Sequence, residues 1–151
     1  MCKILVDADA CSVRDIIKSI AMKYKIPVHL YCDYSHEIED EYCKIHRVDV
    51  GKNSADLAIV NACDPGDIVV TEDIGLAAIA LARKADVVNH TGFRYTDCNI
   101  SWLLITKSQP RGKKWSKGSK DQKWVSFDHP GFVKTFQALV EANKKASVKA
   151  K

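Results

Sequence analysis

Hydrophobic and polar positions along the chain alternate between short apolar runs and longer amphipathic stretches. The apolar runs predict five strands, near residues 3–7, 27–32, 45–49, 67–71 and 86–89. Between them, apolar residues recur at the spacing of a helix with one buried face. Strands that alternate with helices form a parallel sheet covered on both faces. The pattern therefore predicts an α/β fold.

The same periodicity places the helices. The first is predicted to begin at Ser12, where the Ser12 hydroxyl and Asp15, three residues later, would form a capping-box-like start. Its apolar stripe consists of Val13, Ile16, Ile17, Ile20 and Ala21. Further helices are predicted over 53–62, 74–84, 97–107 and 131–145. We expect the helix over 74–84 to be largely buried, because nearly all its residues are apolar, and the last helix to cover the core.

Length and composition are those of one globular domain, with 151 residues, 46% hydrophobic and 28% charged. No run of 18 apolar residues and no signal-peptide pattern occurs, so we expect a soluble cytoplasmic protein without a membrane partner. Six single cysteines without zinc-ligand spacing predict free, buried thiols rather than a zinc or redox motif. No internal repeat and no glycine-rich nucleotide-binding loop is present.

Charge is divided unevenly along the chain. Residues 1–106 carry 11 Lys and Arg against 16 Asp and Glu, whereas residues 107–151 carry 12 against 3. The basic segment 107–124 interleaves its cations with two tryptophans, which suits a nucleic acid because cations neutralise phosphates and Trp stacks on unpaired bases. A merely solvated loop is the alternative. The candidate nucleic-acid contacts are Arg14, Arg94, Arg111, Lys113, Lys114 and Trp115.

Acidic residues follow two of the predicted strands. Asp7 and Asp9 end the first strand, and Asp73 follows the fourth. Ligand crevices of parallel sheets lie outside the carboxyl ends of the strands, where carboxylates can hold Mg²⁺ or Mn²⁺. Asp56 falls in the first turn of a helix whose start would face the same edge. The structural alternatives are a helix N-cap for Asp73 and a surface acid near the helix dipole for Asp56.

Three motifs together resemble the YaiI/YqxD family of bacterial proteins: Asp-Ala-Asp-Ala-Cys at 7–11, Ser-Ala-Asp at 54–56 and the run over 66–77. The similarity spans nearly the whole chain. That family is regarded as PIN-like, which implies a single domain over 1–151 with a three-layer α/β/α Rossmann-like sandwich and a parallel sheet of strand order near 3-2-1-4-5. Carried over by position, the site acids are Asp7, Asp56 and Asp73, with Asp9 as an additional acid of the first motif.

The resemblance implies a Mg²⁺- or Mn²⁺-dependent nuclease that acts on RNA, or on single-stranded DNA, with Asp7, Asp9, Asp56 and Asp73 as catalytic residues and metal ligands. Two other functions stay open. The chain could bind nucleic acid without cleaving it, or act as a haloacid-dehalogenase-like phosphatase with Asp7 and Asp9 as nucleophile and general acid. Both a monomer and a homodimer are compatible with the sequence.

Overall fold

The computed structural model of the chain describes residues 2–8, 13–33, 40–48, 54–106 and 130–149. Its strands are β1 (Ile4–Asp7), β2 (Val28–Asp33), β3 (Lys44–Val48), β4 (Ile68–Val70), β5 (Asp86–Val88) and β6 (Arg94–Tyr95). Its helices are α1 (Arg14–Tyr24), α2 (Ser54–Ala62), α3 (Ile74–Ala82), α4 (Asp97–Thr106) and α5 (Pro130–Lys149). These elements match the predicted β-α-β-α succession.

The strands form one sheet in the order β3-β2-β1-β4-β5-β6. Neighbours from β3 to β5 run parallel, and β6 pairs antiparallel with β5. The order 3-2-1-4-5 is therefore confirmed for the five predicted strands. The sixth was not predicted, because its two residues are too short to show any periodicity.

Helices cover both faces of the sheet, which confirms the three-layer α/β/α sandwich. Because successive strand residues point to opposite faces, Ile4 and Val6 lie in one core cluster and Leu5 in the other. The first cluster includes residues of α1 and α5, and the second includes residues of α2, α3 and α4. By the same alternation, Asp7 belongs to the face that carries α2 and α3.

The start of α1 differs from the prediction. The helix begins at Arg14 rather than Ser12, and its N-cap residue, Val13, makes no side-chain capping hydrogen bond. The predicted start at Ser12 is therefore wrong, and the predicted capping box involves Ser12, which lies outside the described residues. Val13 is fully buried, so packing into the core fixes this end of the helix. Asp15 lies in the first turn, where a negative charge complements the helix dipole.

The predicted burial of the later helices is largely confirmed. In α3 the side chains of Ile74, Leu76, Ala77 and Ala80 are buried, although Ile79 is about half-exposed. In α5 the predicted stripe is buried throughout, at Phe132, Phe136, Leu139 and Val140. Of the described cysteines, all are free and only Cys98 is exposed. Among the described helices, none combines the length and the apolar composition needed to cross a membrane.

A buried acid ties the amino ends of two central strands together. Asp67, which is fully buried, accepts hydrogen bonds from the backbone N–H groups of Lys3 and Asp64. It also forms an ion pair of 2.6 Å with Lys3 Nζ. These contacts lie at the amino end of β1 and in the turn before β4. Asp67 is therefore structural, and it lies at the opposite edge from the candidate acids.

Candidate active site

Three of the four predicted acids come from three different elements at the carboxyl end of the sheet. Asp7 is the last residue of β1, Asp56 lies in the first turn of α2, and Asp73 is the N-cap of α3. In a parallel sheet, each strand's carboxyl end is followed by a helix whose N-terminus begins at the same edge. We call the three residues Asp7, Asp56 and Asp73 the acidic edge.

The pKa of Asp56 depends on its two acidic neighbours, Asp73 and Asp7. Burial, the negative charges of Asp73 and Asp7, and a hydrogen bond shared with the Asp73 carboxyl group together raise the pKa of Asp56 to about 6. Two carboxylates that approach closely cannot both ionise at their ordinary pKa. Asp7, Asp56 and Asp73, from three separate elements, therefore interact electrostatically, and their roles in catalysis and metal binding stay predictions. Asp9 lies outside the described residues.

Asp73 is held in place by its own backbone and by the start of α3. Its Oδ1 accepts a hydrogen bond of 3.0 Å from the Leu76 N–H, and its N–H donates to Thr71 Oγ1 at 3.0 Å. Thr71 is fully buried, and its N–H donates to the Val88 carbonyl. A Cβ at Gly75 would lie 3.1 Å from Asp73 Oδ1, so glycine leaves room for the carboxylate. Asp73 is thus both a helix cap and a member of the acidic edge.

Oxygen-only donors are the ligands that Mg²⁺ and Mn²⁺ prefer. The residues of the acidic edge offer only carboxylate oxygens, and their mutual repulsion is what a bound cation would relieve. Within the described ranges, however, no group of three or more His, Cys, Asp or Glu side chains is arranged to hold a metal ion. The carboxylate oxygens suit a divalent cation chemically. To bind one, the three side chains would have to move closer together.

Sequence reasoning missed a histidine at the same edge. His90 is buried, and its Nδ1 lies 3.3 Å from Oε1 of Glu72, the residue before Asp73. The turn that carries His90 is organised by Asn89, whose Oδ1 accepts hydrogen bonds from the N–H groups of Thr91 and Phe93. The sequence carried a signal for this histidine, because the polar residues Asn89 and His90 follow the apolar strand β5. In the same way, the polar residue Asp7 ends the apolar strand β1. The signal was weak because a single histidine in a turn has many structural explanations.

The predicted nucleic-acid contacts are only partly described. Arg14 is the first residue of α1, so it lies on the carboxyl side of β1. Arg94 instead pairs with Asp86 at 2.7 Å, at the beginning of β5 and away from the acidic edge. Outside the described residues lie Arg111, Lys113, Lys114 and Trp115. Binding of nucleic acid by these residues stays a prediction.

Comparisons with known proteins agree on one family. The model of the family described as "Uncharacterized BCR, YaiI/YqxD family" matches residues 5–142. A "UPF0178 protein" of Alkaliphilus oremlandii is 44% identical over 143 residues, which are 93% of this chain and 92% of that protein. A protein of the same name from Natranaerobius thermophilus is 39% identical over 140 residues, covering 91% and 95% of the two chains. No solved structure gives a significant match.

Proposed function

This chain belongs to the YaiI/YqxD family, and on that premise we propose that it is a PIN-like nuclease that hydrolyses phosphodiester bonds of RNA, or of single-stranded DNA, with Mg²⁺ or Mn²⁺. The observation that carries the proposal is that three carboxyl groups from separate elements lie at one edge of the sheet, where Asp56 and Asp73 share a hydrogen bond. Carboxylates concentrated in this way are costly to a fold unless they serve a positive ligand.

The protein's part in the chemistry is to hold the acids before the substrate arrives. Asp73 is fixed by its bonds to Leu76 and Thr71, and Asp7 is fixed by the central strand β1. Asp56 and Asp73 share a hydrogen bond, so these two would release a proton and hold the cation together. A cation bound there would orient a phosphodiester, lower the pKa of an attacking water and stabilise the leaving oxygen.

Charge also supports a polyanionic substrate. Carboxylates alone would repel phosphates, and a chain that cleaves nucleic acid needs positive charge to hold it near the acids. Residues 107–151 supply that charge with 12 Lys and Arg against 3 Asp and Glu. Cations of this kind bind phosphates without reading the sequence, and the affinity falls as salt rises. Arg14, which opens α1 directly after the first motif, is a further candidate contact.

The test is cleavage of labelled single-stranded RNA and DNA by the variants Asp7→Asn, Asp56→Asn and Asp73→Asn with Mn²⁺ present. Each substitution removes one charge and keeps the shape of the side chain. A matched control is Asp97→Asn, because Asp97 is exposed in the first turn of α4, after a strand that runs antiparallel to the others. We expect loss of cleavage by at least about 100-fold in the first three variants and none in the control.

The other outcomes separate the competing functions. Full cleavage by the Asp7→Asn or Asp73→Asn variant would show that the residue in question is not catalytic. Salt-sensitive binding without cleavage by any sample would favour a binding module that does not hydrolyse nucleic acid. Hydrolysis of small phosphate esters with phosphate trapped on Asp7 would instead favour the phosphatase function, in which Asp7 is the nucleophile.

A further inference from the structure

A pair of histidines lies on two adjacent strands, away from the acidic edge. His29 is in β2 and His46 is in β3, and both side chains are partly exposed. His29 Nδ1 and His46 Nε2 lie 2.8 Å apart, so one nitrogen donates a hydrogen to the other. The pair is separated from Asp7 by Tyr31, because the strand register places Asp7 beside Tyr31 and Tyr31 beside His46.

The two imidazole rings are held by Tyr31 and by their shared hydrogen bond. The His46 ring stacks on Tyr31 with centroids 4.6 Å apart and an interplanar angle of 10°. The His29 ring lies edge to edge with the His46 ring, with centroids 5.1 Å apart and an interplanar angle of 20°, so the hydrogen-bonded nitrogens face each other in nearly one plane. Tyr31 is buried in the core cluster under α2, so it fixes the plane of His46. The hydrogen bond therefore keeps the two nitrogens next to each other without help from a ligand.

We propose that His29 Nδ1 and His46 Nε2 form a binding site for Zn²⁺ that is separate from the acidic edge. Imidazole nitrogens suit zinc, whereas the carboxylates of the acidic edge suit Mg²⁺ and Mn²⁺. A tetrahedral zinc ion with Zn–N bonds of about 2.0–2.1 Å requires the nitrogens to be roughly 3.3 Å apart. The observed separation of 2.8 Å would widen to this value as the two rings turn, so that both nitrogens point to a common ion instead of at each other.

Proton balance favours binding at neutral pH. Burial lowers the pKa of both histidines, and the neutral imidazole is the form that binds a metal. When zinc enters, the ring that donates the shared hydrogen becomes the tautomer protonated on its other nitrogen. No net proton is released from two neutral rings. Binding therefore replaces one hydrogen bond with two metal–nitrogen bonds.

The surroundings indicate an open site of moderate affinity. Within the described residues, no third His, Cys, Asp or Glu joins the pair, so water would complete the coordination. Sites that keep open positions bind zinc more weakly than closed sites with four protein ligands. The charge of Lys3 is compensated by Asp64 and Asp67. Lys44, which is exposed and lies beside His29 in the register, is the positive charge that opposes the ion.

The test is titration of the full chain with Zn²⁺, followed by calorimetry and by ¹H–¹⁵N spectra of the histidine side chains. We expect the resonances of His29 and His46 to shift together, with the metal assigned to Nδ1 of the first and Nε2 of the second. The variants His29→Gln and His46→Gln should each weaken binding at least about tenfold. Lys44→Gln should tighten it, because a repelling charge is removed, and Asp73→Asn should leave it unchanged.

The spectra of the unmodified protein keep the proposal falsifiable even if a histidine variant fails to fold. Absence of zinc binding up to millimolar concentration would overturn the proposal. So would shifts confined to other histidines or binding that survives both histidine variants. Loss of zinc binding in the Asp73→Asn variant would show that the ion sits at the acidic edge instead. None of these outcomes depends on the nuclease activity, so the two proposals fail or stand separately.

Discussion

At the residue scale, Asp56 combines partial burial, two negative neighbours and a shared hydrogen bond. Its position in a first helical turn was predictable from the sequence, because Asn53 and Ser54 offer a helix start just before it. Its pKa was not, because the pKa depends on how closely β1 and α3 bring their own acids. The sequence thus indicated that this residue lies at the acidic edge, and the tertiary structure determines its pKa.

The raised pKa of Asp56 makes stability depend on pH. The folded pKa of about 6 exceeds the ordinary value of 3.8, so folding is favoured while the group is protonated, and that stability is lost as the pH rises through 6. Asp56→Asn does not ionise, and its amide can still donate to Asp73. In chelator we expect this variant to be more stable than the wild type at neutral pH by about 1–3 kcal/mol.

Denaturant unfolding at several pH values measures this difference. The stability advantage of Asp56→Asn should shrink towards zero as the pH falls to about 4, the ordinary range of an Asp pKa. The control is Asp97→Asn, which removes an exposed acid from the first turn of α4. An advantage that is constant across this pH range would mean that Asp56 has an ordinary pKa.

Asp73 has two roles that two substitutions separate. Asparagine is as good an N-cap as aspartate, whereas alanine loses the bond to the Leu76 N–H. Both substitutions remove the negative charge, so their difference isolates the cap. We expect Asp73→Ala to be about 1 kcal/mol less stable than Asp73→Asn in thermal or denaturant unfolding. Equal stability of the two variants would show that the cap contributes nothing to α3.

At the element scale, the periodicity located each helix and the five parallel strands, while the ends of the elements were less predictable. The helix α1 begins at Arg14, directly after the buried Val13, and no capping pattern in the sequence reports burial. The strand β6 is too short to be recognised. Its pairing with β5 depends on the turn over 89–93, in which the Asn89 side chain accepts several hydrogen bonds.

The turn before β6 also contacts the start of α5, and a glycine makes this contact possible. Gly92 has a φ of +92°, and a Cβ there would lie 2.5 Å from the carbonyl oxygen of Gly131. Gly66 has a similar φ of +89° but open space around it. We expect Gly66→Ala to cost about 1 kcal/mol and Gly92→Ala about 1–3 kcal/mol more. Unfolding free energies that are equal for the two variants would contradict this contact.

At the scale of the whole molecule, the β-α-β-α pattern predicted the layers, and the family resemblance predicted the strand order. The convergence of Asp7, Asp56 and Asp73 follows from that topology, since parallel strands end at one edge. Pairings between side chains of different elements could not be read from the sequence. The contacts of Glu72 with His90 and of His29 with His46 depend on register and on turn geometry.

The most direct test of the acidic edge as a cation site is calorimetric titration of Mn²⁺ into the wild type, Asp7→Asn and Asp97→Asn at neutral pH, with labelled single-stranded RNA added afterwards to the same samples. We expect saturable binding and cleavage in the wild type and in Asp97→Asn, and neither in Asp7→Asn, because removal of one ligand charge weakens the site. Wild-type protein that neither binds Mn²⁺ nor cleaves RNA, or Asp7→Asn protein that does both, would contradict the account.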